Sequence, residues 1–258
     1  MFIPGQREGS PIYDSLAAGA ERFASENPGS SVRVFEAGFN QAEWQEKLTS
    51  FVGSNRFDVI LTSNPSLPDL IEAIAPFFPS QKFICLDGYK TGISALHTVL
   101  YNQTEQGYIA GYLAGLISSS ALPGANPQKK AGMIIGQHYP VMDTLIAPGF
   151  EQGLKAVDPS FGLDIRVLGN WYDATKASDL AKSMIASGVD VILPICGSAS
   201  QGVVKATKDL NRYLVFFDSD EYARAPGTIL GCVALKQKEL AYAKLAEFAQ
   251  KATPWGRA

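Results

Sequence analysis

Seven short segments of this chain gather the residue types that hold small molecules. They are Gly5 to Pro11 (GQREGSP), Thr62-Ser63-Asn64, Asp87-Gly88-Tyr89, Gln137-His138-Tyr139-Pro140, Gly169 to Asp173 (GNWYD), Cys196-Gly197-Ser198-Ala199 and Asp218-Ser219-Asp220. Their carboxylates accept hydrogen bonds from hydroxyl groups, and a charged acceptor contributes about 1.5–3 kcal/mol per bond. Their aromatic side chains stack on flat rings. The mixture suits a neutral, polyhydroxylated ligand that carries a ring system. Taken singly, each polar residue could instead be a helix cap or a turn former; the set points to a ligand. The candidate ligand-binding residues here are Ser63, Asn64, Asp87, His138, Tyr139, Trp171, Gly197 and Asp218, with Lys236 placed to close over the ligand.

Covalent chemistry finds less support. The chain has no GxxxxGK[ST] or GxGxxG phosphate loop, no GxSxG elbow and no HExxH pair. Asp218 and Asp220 are alternate residues at a strand end, where an extended chain would point them to opposite sides. Two acids without a wider oxygen cluster do not make a metal site. Two histidines and three cysteines without a CxxC pair leave little for a triad or a thiolate zinc site. His97, inside ALHTVL, reads as structural. Cys85, Cys196 and Cys232 lie in apolar runs and read as small buried hydrophobes. We expect no metal, no cofactor and no catalytic residue.

Each candidate segment follows a short β-branched or aromatic run. Strands are expected at 31–37, 57–62, 82–87 and 95–102, and again at 131–136, 163–168, 189–195, 213–218 and 228–235. Apolar residues at helical spacing predict helices over 12–27, 41–51, 67–77 and 104–119, then 141–156, 175–187, 201–209 and 238–251. In the helix at 104–119, Gly107, Gly111 and Gly115 recur every four residues and make one smooth packing face. The βαβα alternation predicts parallel sheets covered on both faces. Because the same order is written twice, around a Pro/Gly-rich stretch at 121–130, we expect an α/β protein of two similar lobes. Ligand loops should then lie at the carboxyl ends of the strands, in a cleft. A single continuous doubly wound sheet is the competing arrangement.

Composition agrees with a binding role. Of 258 residues, 46% are hydrophobic and 18% charged, enough to build a large core and too little charge for a disordered chain. The net charge of −3 gives no surface for nucleic acid. No run reaches about 18 apolar residues, so no membrane span is expected. Both ends read as truncated, and a signal sequence is absent from this chain.

The chain also resembles the basic membrane protein family of ABC-transporter solute-binding lipoproteins, the group similar to the purine nucleoside receptor. The resemblance is carried by YIAGYLAG at 108–115, GQHYPV at 136–141 with GFEQG at 149–153, NWYDATKA at 170–177, GVDVI at 188–192 and FDSD at 217–220. It implies a type I periplasmic-binding-protein fold with two Rossmann-like lobes around a ligand cleft, joined by three crossovers. Residues 1–120 with 237–258 would form one lobe and residues 121–236 the other. It further implies Asp87 at the ring, Trp171 in place of a stacking phenylalanine, Asp218 at the sugar hydroxyls, and Lys236 as a further pocket residue. The family's first-loop Asp-x-Ser-Phe-Asn pattern is replaced by Gly9-Ser10-Pro11-Ile12-Tyr13, which brings Tyr13 into the ligand-binding set.

The expected function is therefore an extracytoplasmic solute-binding protein of an ABC importer. It would trap a purine nucleoside or riboflavin and deliver it to an ABC permease, held at a membrane only through a lipid anchor absent from this chain. Trp171 with Tyr139 and Tyr172 is a more aromatic set than a purine requires, which keeps riboflavin open. The competing functions are a riboside-acting hydrolase, using Asp218 and Asp220, and the effector-binding half of a transcriptional regulator.

Overall fold

The structure, a computed structural model, describes residues 1–54 and 57–258. It divides into two compact units, Met1–Tyr101 with Lys236–Ala258, and Asn102–Leu235. Among the described residues the chain passes between them twice, at Tyr101/Asn102 and at Leu235/Lys236.

The first unit contains strands β1 (Phe2–Ile3), β2 (Phe35–Glu36), β3 (Val59–Ser63), β4 (Lys82–Leu86) and β5 (Leu96–Val99). Its helices are α1 (Pro11–Glu26), α2 (Trp44–Gly53) and α3 (Leu67–Ile74), and the unit's last helix lies at Gln237–Ala249. β1 pairs with β2, and β3, β4 and β5 form a second parallel sheet in that order. β1 lies against β3, so the strands run 2-1-3-4-5 in space. Alternation along each strand divides the core. Phe83 and Cys85 face the side covered by α2 and α3; Ile84 and Leu86 face the side covered by α1 and the last helix.

The second unit opens with α4 (Gln103–Ser118), capped by Asn102, whose side chain accepts from the Glu105 amide. It continues through β6 (Lys130–Ile135), α5 (Ala147–Val157), β7 (Gly162–Val167), α6 (Ala174–Ala186), β8 (Val191–Ile195), α7 (Ser200–Asp209), β9 (Tyr213–Asp218) and β10 (Ile229–Ala234). The helix at Gln237–Ala249 in the first unit is α8. All five strands of the second unit are parallel, in the order β10-β9-β8-β6-β7. Met133 and Ile135 pack under α4 and α5, while Ile134 packs under α6 and α7. Each unit is thus a three-layer α/β/α stack whose strand order reverses at its first strand.

Three expectations change. The helix at 103–118 belongs to the second unit, not to a first lobe ending at residue 120. The reason is its packing: a side chain at Gly107 would meet the Ile146 carbonyl oxygen at 2.5 Å, and one at Gly149 the Thr104 carbonyl oxygen at 2.5 Å. The two helices touch backbone to backbone. Only Phe35–Glu36 of the strand expected at 31–37 is paired, because β2 is a two-residue edge against β1. Cys232, on the edge strand β10, is only partly buried, unlike Cys85 and Cys196. All three thiols are free, and burial pushes the Cys85 thiol up to about 12 and the Cys196 thiol up to about 11.

Candidate functional site

In an open sheet of this order, loops on either side of the reversal diverge and leave room for a ligand at the strands' carboxyl ends. In the second unit the reversal falls between β6 and β8. The Gly136 amide, just past β6, donates to the Ile195 carbonyl at 2.8 Å, and the Gly169 amide donates to the Gly136 carbonyl at 2.8 Å. Three strand ends are therefore tied together before any side chain is added.

Trp171 lies on this platform. A side chain at Gly136 would meet the six-membered ring of the indole at 2.6–2.8 Å, so only glycine lets the ring rest on the backbone there. The Trp171 carbonyl accepts from the Ser198 hydroxyl at 3.1 Å and from the Ala199 amide at 3.2 Å. Gly197, at φ +60, passes close beneath it. The loop itself is self-braced. Gly169 turns the chain at φ +88, the Asn170 side-chain oxygen accepts from the Tyr172 and Asp173 amides, and Asp173 caps α6 through the Lys176 amide. The Tyr139 ring stands 6.3 Å from the indole at 49° and extends the aromatic surface.

Asp218 ends β9, the neighbour of β8, on the same carboxyl edge. Its φ of +67 is in the left-handed region, and the Ser219 amide turns back to the Phe217 carbonyl at 2.9 Å. The chain is not extended here, so strict alternation does not describe Asp218 and Asp220. Asp220 instead accepts from the Tyr222 amide. Asp218 is half-buried, and one carboxylate oxygen accepts from Gln106 Nε2 at 2.9 Å. Burial raises its carboxyl to about 6, although the Gln106 hydrogen bond opposes the shift.

That shift fixes a sign. A carboxyl with a higher pKa in the folded than in the unfolded chain favours folding while protonated, and that advantage is lost as pH rises through the folded value. Ligand-free protein should therefore lose stability between about pH 4 and pH 6 at this group. At 1.36 kcal/mol per pKa unit, discounted for the side chain's partial exposure, the loss is about 1–2 kcal/mol. Urea titrations at pH 4 and pH 7 should show Asp218→Asn more stabilised relative to wild type at the higher pH than at the lower; an equal difference at both would refute the assignment.

The first unit repeats the plan. Its reversal falls between β1 and β3, where the Tyr13 hydroxyl donates to the Pro4 carbonyl at 3.2 Å and accepts from Asn64 Nδ2 at 3.2 Å. Ser63 accepts from the fully buried Gln237 at 2.8 Å, and Gln237 in turn accepts from the Tyr101 hydroxyl. Asp87 follows β4 at φ +53, in the same left-handed region as Asp218 at the end of β9. Lys236 is exposed ahead of α8. His138 is exposed and pairs with Asp143 at 2.8 Å, five residues along its own loop. His97 is buried against the Arg257 carbonyl, in the structural role expected of it.

The structure thus gathers Gly197, Tyr139 and Trp171 around Gly136 with Asp218 on the same edge, and it gathers Tyr13, Ser63 and Asn64 in the first unit. Gly136 and Gln106 were missing from the sequence reading. Among the described residues no three metal-binding side chains converge, and no helix is long and apolar enough to cross a membrane.

Two α/β/α units of this strand order, with ligand-type loops at their carboxyl edges, define a type I periplasmic-binding-protein fold. A solute-binding protein of an ABC transporter system from Aeropyrum pernix shares it, with a TM-score of 0.89 at 20% identity over 100% of this chain and 72% of that one. The chain belongs to the Bmp family, described as "ABC transporter substrate-binding protein PnrA-like", whose profile matches residues 1–257. The family is one of substrate-binding proteins.

Among relatives, a CD4+ T-cell-stimulating antigen of Listeria monocytogenes is 28% identical over 67% of this chain and 46% of its own length. The nucleoside-binding protein BmpA of Lactococcus lactis is 29% identical over 57% of this chain and 39% of its own. A purine-binding protein of Brucella abortus is 30% identical over 52% and 35%. The matched stretch spans less than half the length of these curated relatives.

Proposed function

We propose that this chain is the ligand-binding part of an ABC importer, and that it takes a purine nucleoside. The observation that carries the reading is the Trp171 indole seated on Gly136 at the strand reversal, with the Asp218 carboxylate on the same edge. The ring of the ligand stacks on Trp171, and its sugar hydroxyls donate to Asp218. The nucleoside- and purine-binding relatives support this class of ligand. Tyr13, Ser63, Asn64, Asp87, His138, Tyr139, Gly197 and Lys236 are proposed as further ligand contacts. The protein acts outside the cytoplasm, anchored by lipid, and passes its ligand to an ABC permease without chemical change.

Riboflavin is the second reading. Tyr139 beside Trp171 broadens the aromatic surface beyond one purine, and a ribityl chain offers Asp218 the same hydroxyl donors.

Calorimetric titration with inosine, guanosine, adenosine and riboflavin tests the proposal. We expect saturable binding of at least one, with no free base released from the nucleosides on prolonged incubation. Base release lost in Asp218→Asn would instead establish a hydrolase. In Trp171→Ala the affinity should fall about 5- to 150-fold, the equivalent of 1–3 kcal/mol of ring stacking. Unchanged affinity would remove Trp171 from the site.

A further inference from the structure

Gln106 lies on α4, is 6% exposed and makes an unusual set of contacts. Its Nε2 donates to Asp218 Oδ1 at 2.9 Å and to the Val233 carbonyl at 3.0 Å. Both amide protons are thus spent on acceptors, one at the end of β9 and one on β10. Turning the amide over would set Oε1 against a carboxylate and a carbonyl oxygen, so the orientation is fixed. Oε1 itself is buried with no hydrogen-bond partner. An unpaired buried acceptor carries a desolvation cost that an apolar side chain of similar length would avoid. What the glutamine supplies against that cost is its donor, which is aimed at Asp218.

We propose that Gln106 is a positioning residue for ligand recognition. By holding Oδ1 of Asp218 it presents Oδ2 to the hydroxyls of the ligand and keeps the carboxylate in its accepting form. This inference rests on the reading of Asp218 as the hydroxyl acceptor. Among the described residues no hydrogen bond engages Oδ2, which leaves that oxygen for a donor from outside the protein. Asp218 is held in a left-handed backbone conformation at a strand end, where a turn of the side chain would sweep the carboxylate across the site; Gln106 stops that rotation.

The charged groups nearby are engaged elsewhere. Glu105 on α4 accepts from Asn102, Asp220 from the Tyr222 amide, and Glu221 from Ser219 and Arg224. Burial and Gln106 are the two influences on the Asp218 carboxyl, and they act in opposite directions. Removing the Gln106 donor therefore leaves burial unopposed.

The test uses Gln106→Leu, which removes the donor, and Gln106→Glu, which keeps the shape and sets a second carboxyl against the first. The Asp218 carboxyl is titrated by carbon NMR in ligand-free protein, with Asp218→Asn assigning the signal, and inosine affinity is measured from pH 5 to pH 8. We expect the Asp218 midpoint to rise by about one unit in Gln106→Leu and further in Gln106→Glu. The affinity profile should move with it, adding a loss of about fivefold at pH 6 beyond any loss that persists at pH 8.

A folded Gln106→Leu with the wild-type midpoint and profile overturns the inference. The proposed function then stands, provided that wild type binds inosine and Asp218→Asn does not. If wild type binds inosine with no dependence on Asp218, the reading of Asp218 fails and this inference with it. Should Gln106→Leu not fold, Gln106→Glu decides by the same two measurements.

Discussion

Asp218→Ala is expected to lower affinity for a ribosylated ligand by about 10²- to 10⁴-fold. Two sugar hydroxyls donating to one ionised carboxylate contribute about 3–6 kcal/mol together, at the rate for charged acceptors, and 1.4 kcal/mol is a factor of ten. Asp218→Asn separates charge from shape. It keeps an acceptor oxygen and tolerates the left-handed backbone at φ +67, where alanine adds strain of about 1–2 kcal/mol. Charge-assisted bonds are about twice as strong as neutral ones, so the asparagine variant should fall between wild type and alanine.

Wild-type affinity should in turn decline as pH falls through about 6, where the carboxyl takes up its proton and stops accepting. Calorimetry at pH 5, 6 and 8 on the three proteins checks the whole set. Equal affinity in wild type and Asp218→Asn at pH 8 would end the assignment. A group that is uncomfortable when charged in the empty protein and needed charged when ligand is bound is the expected mark of a binding residue rather than a structural one.

The second large effect is on stability. Gly111→Ala should destabilise the second unit by at least about 3 kcal/mol, although alanine in a helix ordinarily gains about 1 kcal/mol over glycine. The reason is contact between main chains. A methyl group at Gly111 would overlap the Phe150 carbonyl, and one at Gly153 would overlap the Tyr108 carbonyl. To admit it, α4 and α5 must move apart, and Ala110, Ala114, Phe150 and Leu154 lose their packing together. Gly53→Ala is the control. That glycine is exposed at the end of α2 with nothing among the described residues within 4 Å of the added atom, so the same substitution should be neutral or stabilising there. The urea midpoint is expected to fall for Gly111→Ala and to hold or rise for Gly53→Ala.

The alternation of strands and helices was readable because each strand is a short β-branched run and each helix carries its own apolar stripe. The unit boundary was not, because composition marks the wrong place. Ala121 to Lys130 has the proline and glycine of a linker, yet the crossing occurs at Tyr101/Asn102, where the sequence offers only a helix-capping asparagine. The glycine face of α4 was visible as a packing surface; which helix it meets is decided by the fold.

Residue type alone singled out Trp171 and Asp218 as candidates. Their support was hidden, since Gly136 matters through a ring 35 positions later and Gln106 through a carboxylate 112 positions away. The local trace of Gln106 was a polar residue on the buried face that holds Gln103, Ala110 and Ala114. A left-handed turn at Asp218 leaves no signal, because the residue is not glycine.

The loop from Gly169 to Asp173 is braced by a glycine turn at one end, a helix cap at the other, and an asparagine in the middle. It behaves as a cassette. Exchanging the residue at 171 for phenylalanine, tyrosine or histidine alters the stacking surface while the scaffold that presents it is left untouched. Under the proposed function, single substitutions at this one position would change the ring that is preferred while the bracing of the loop stays in place.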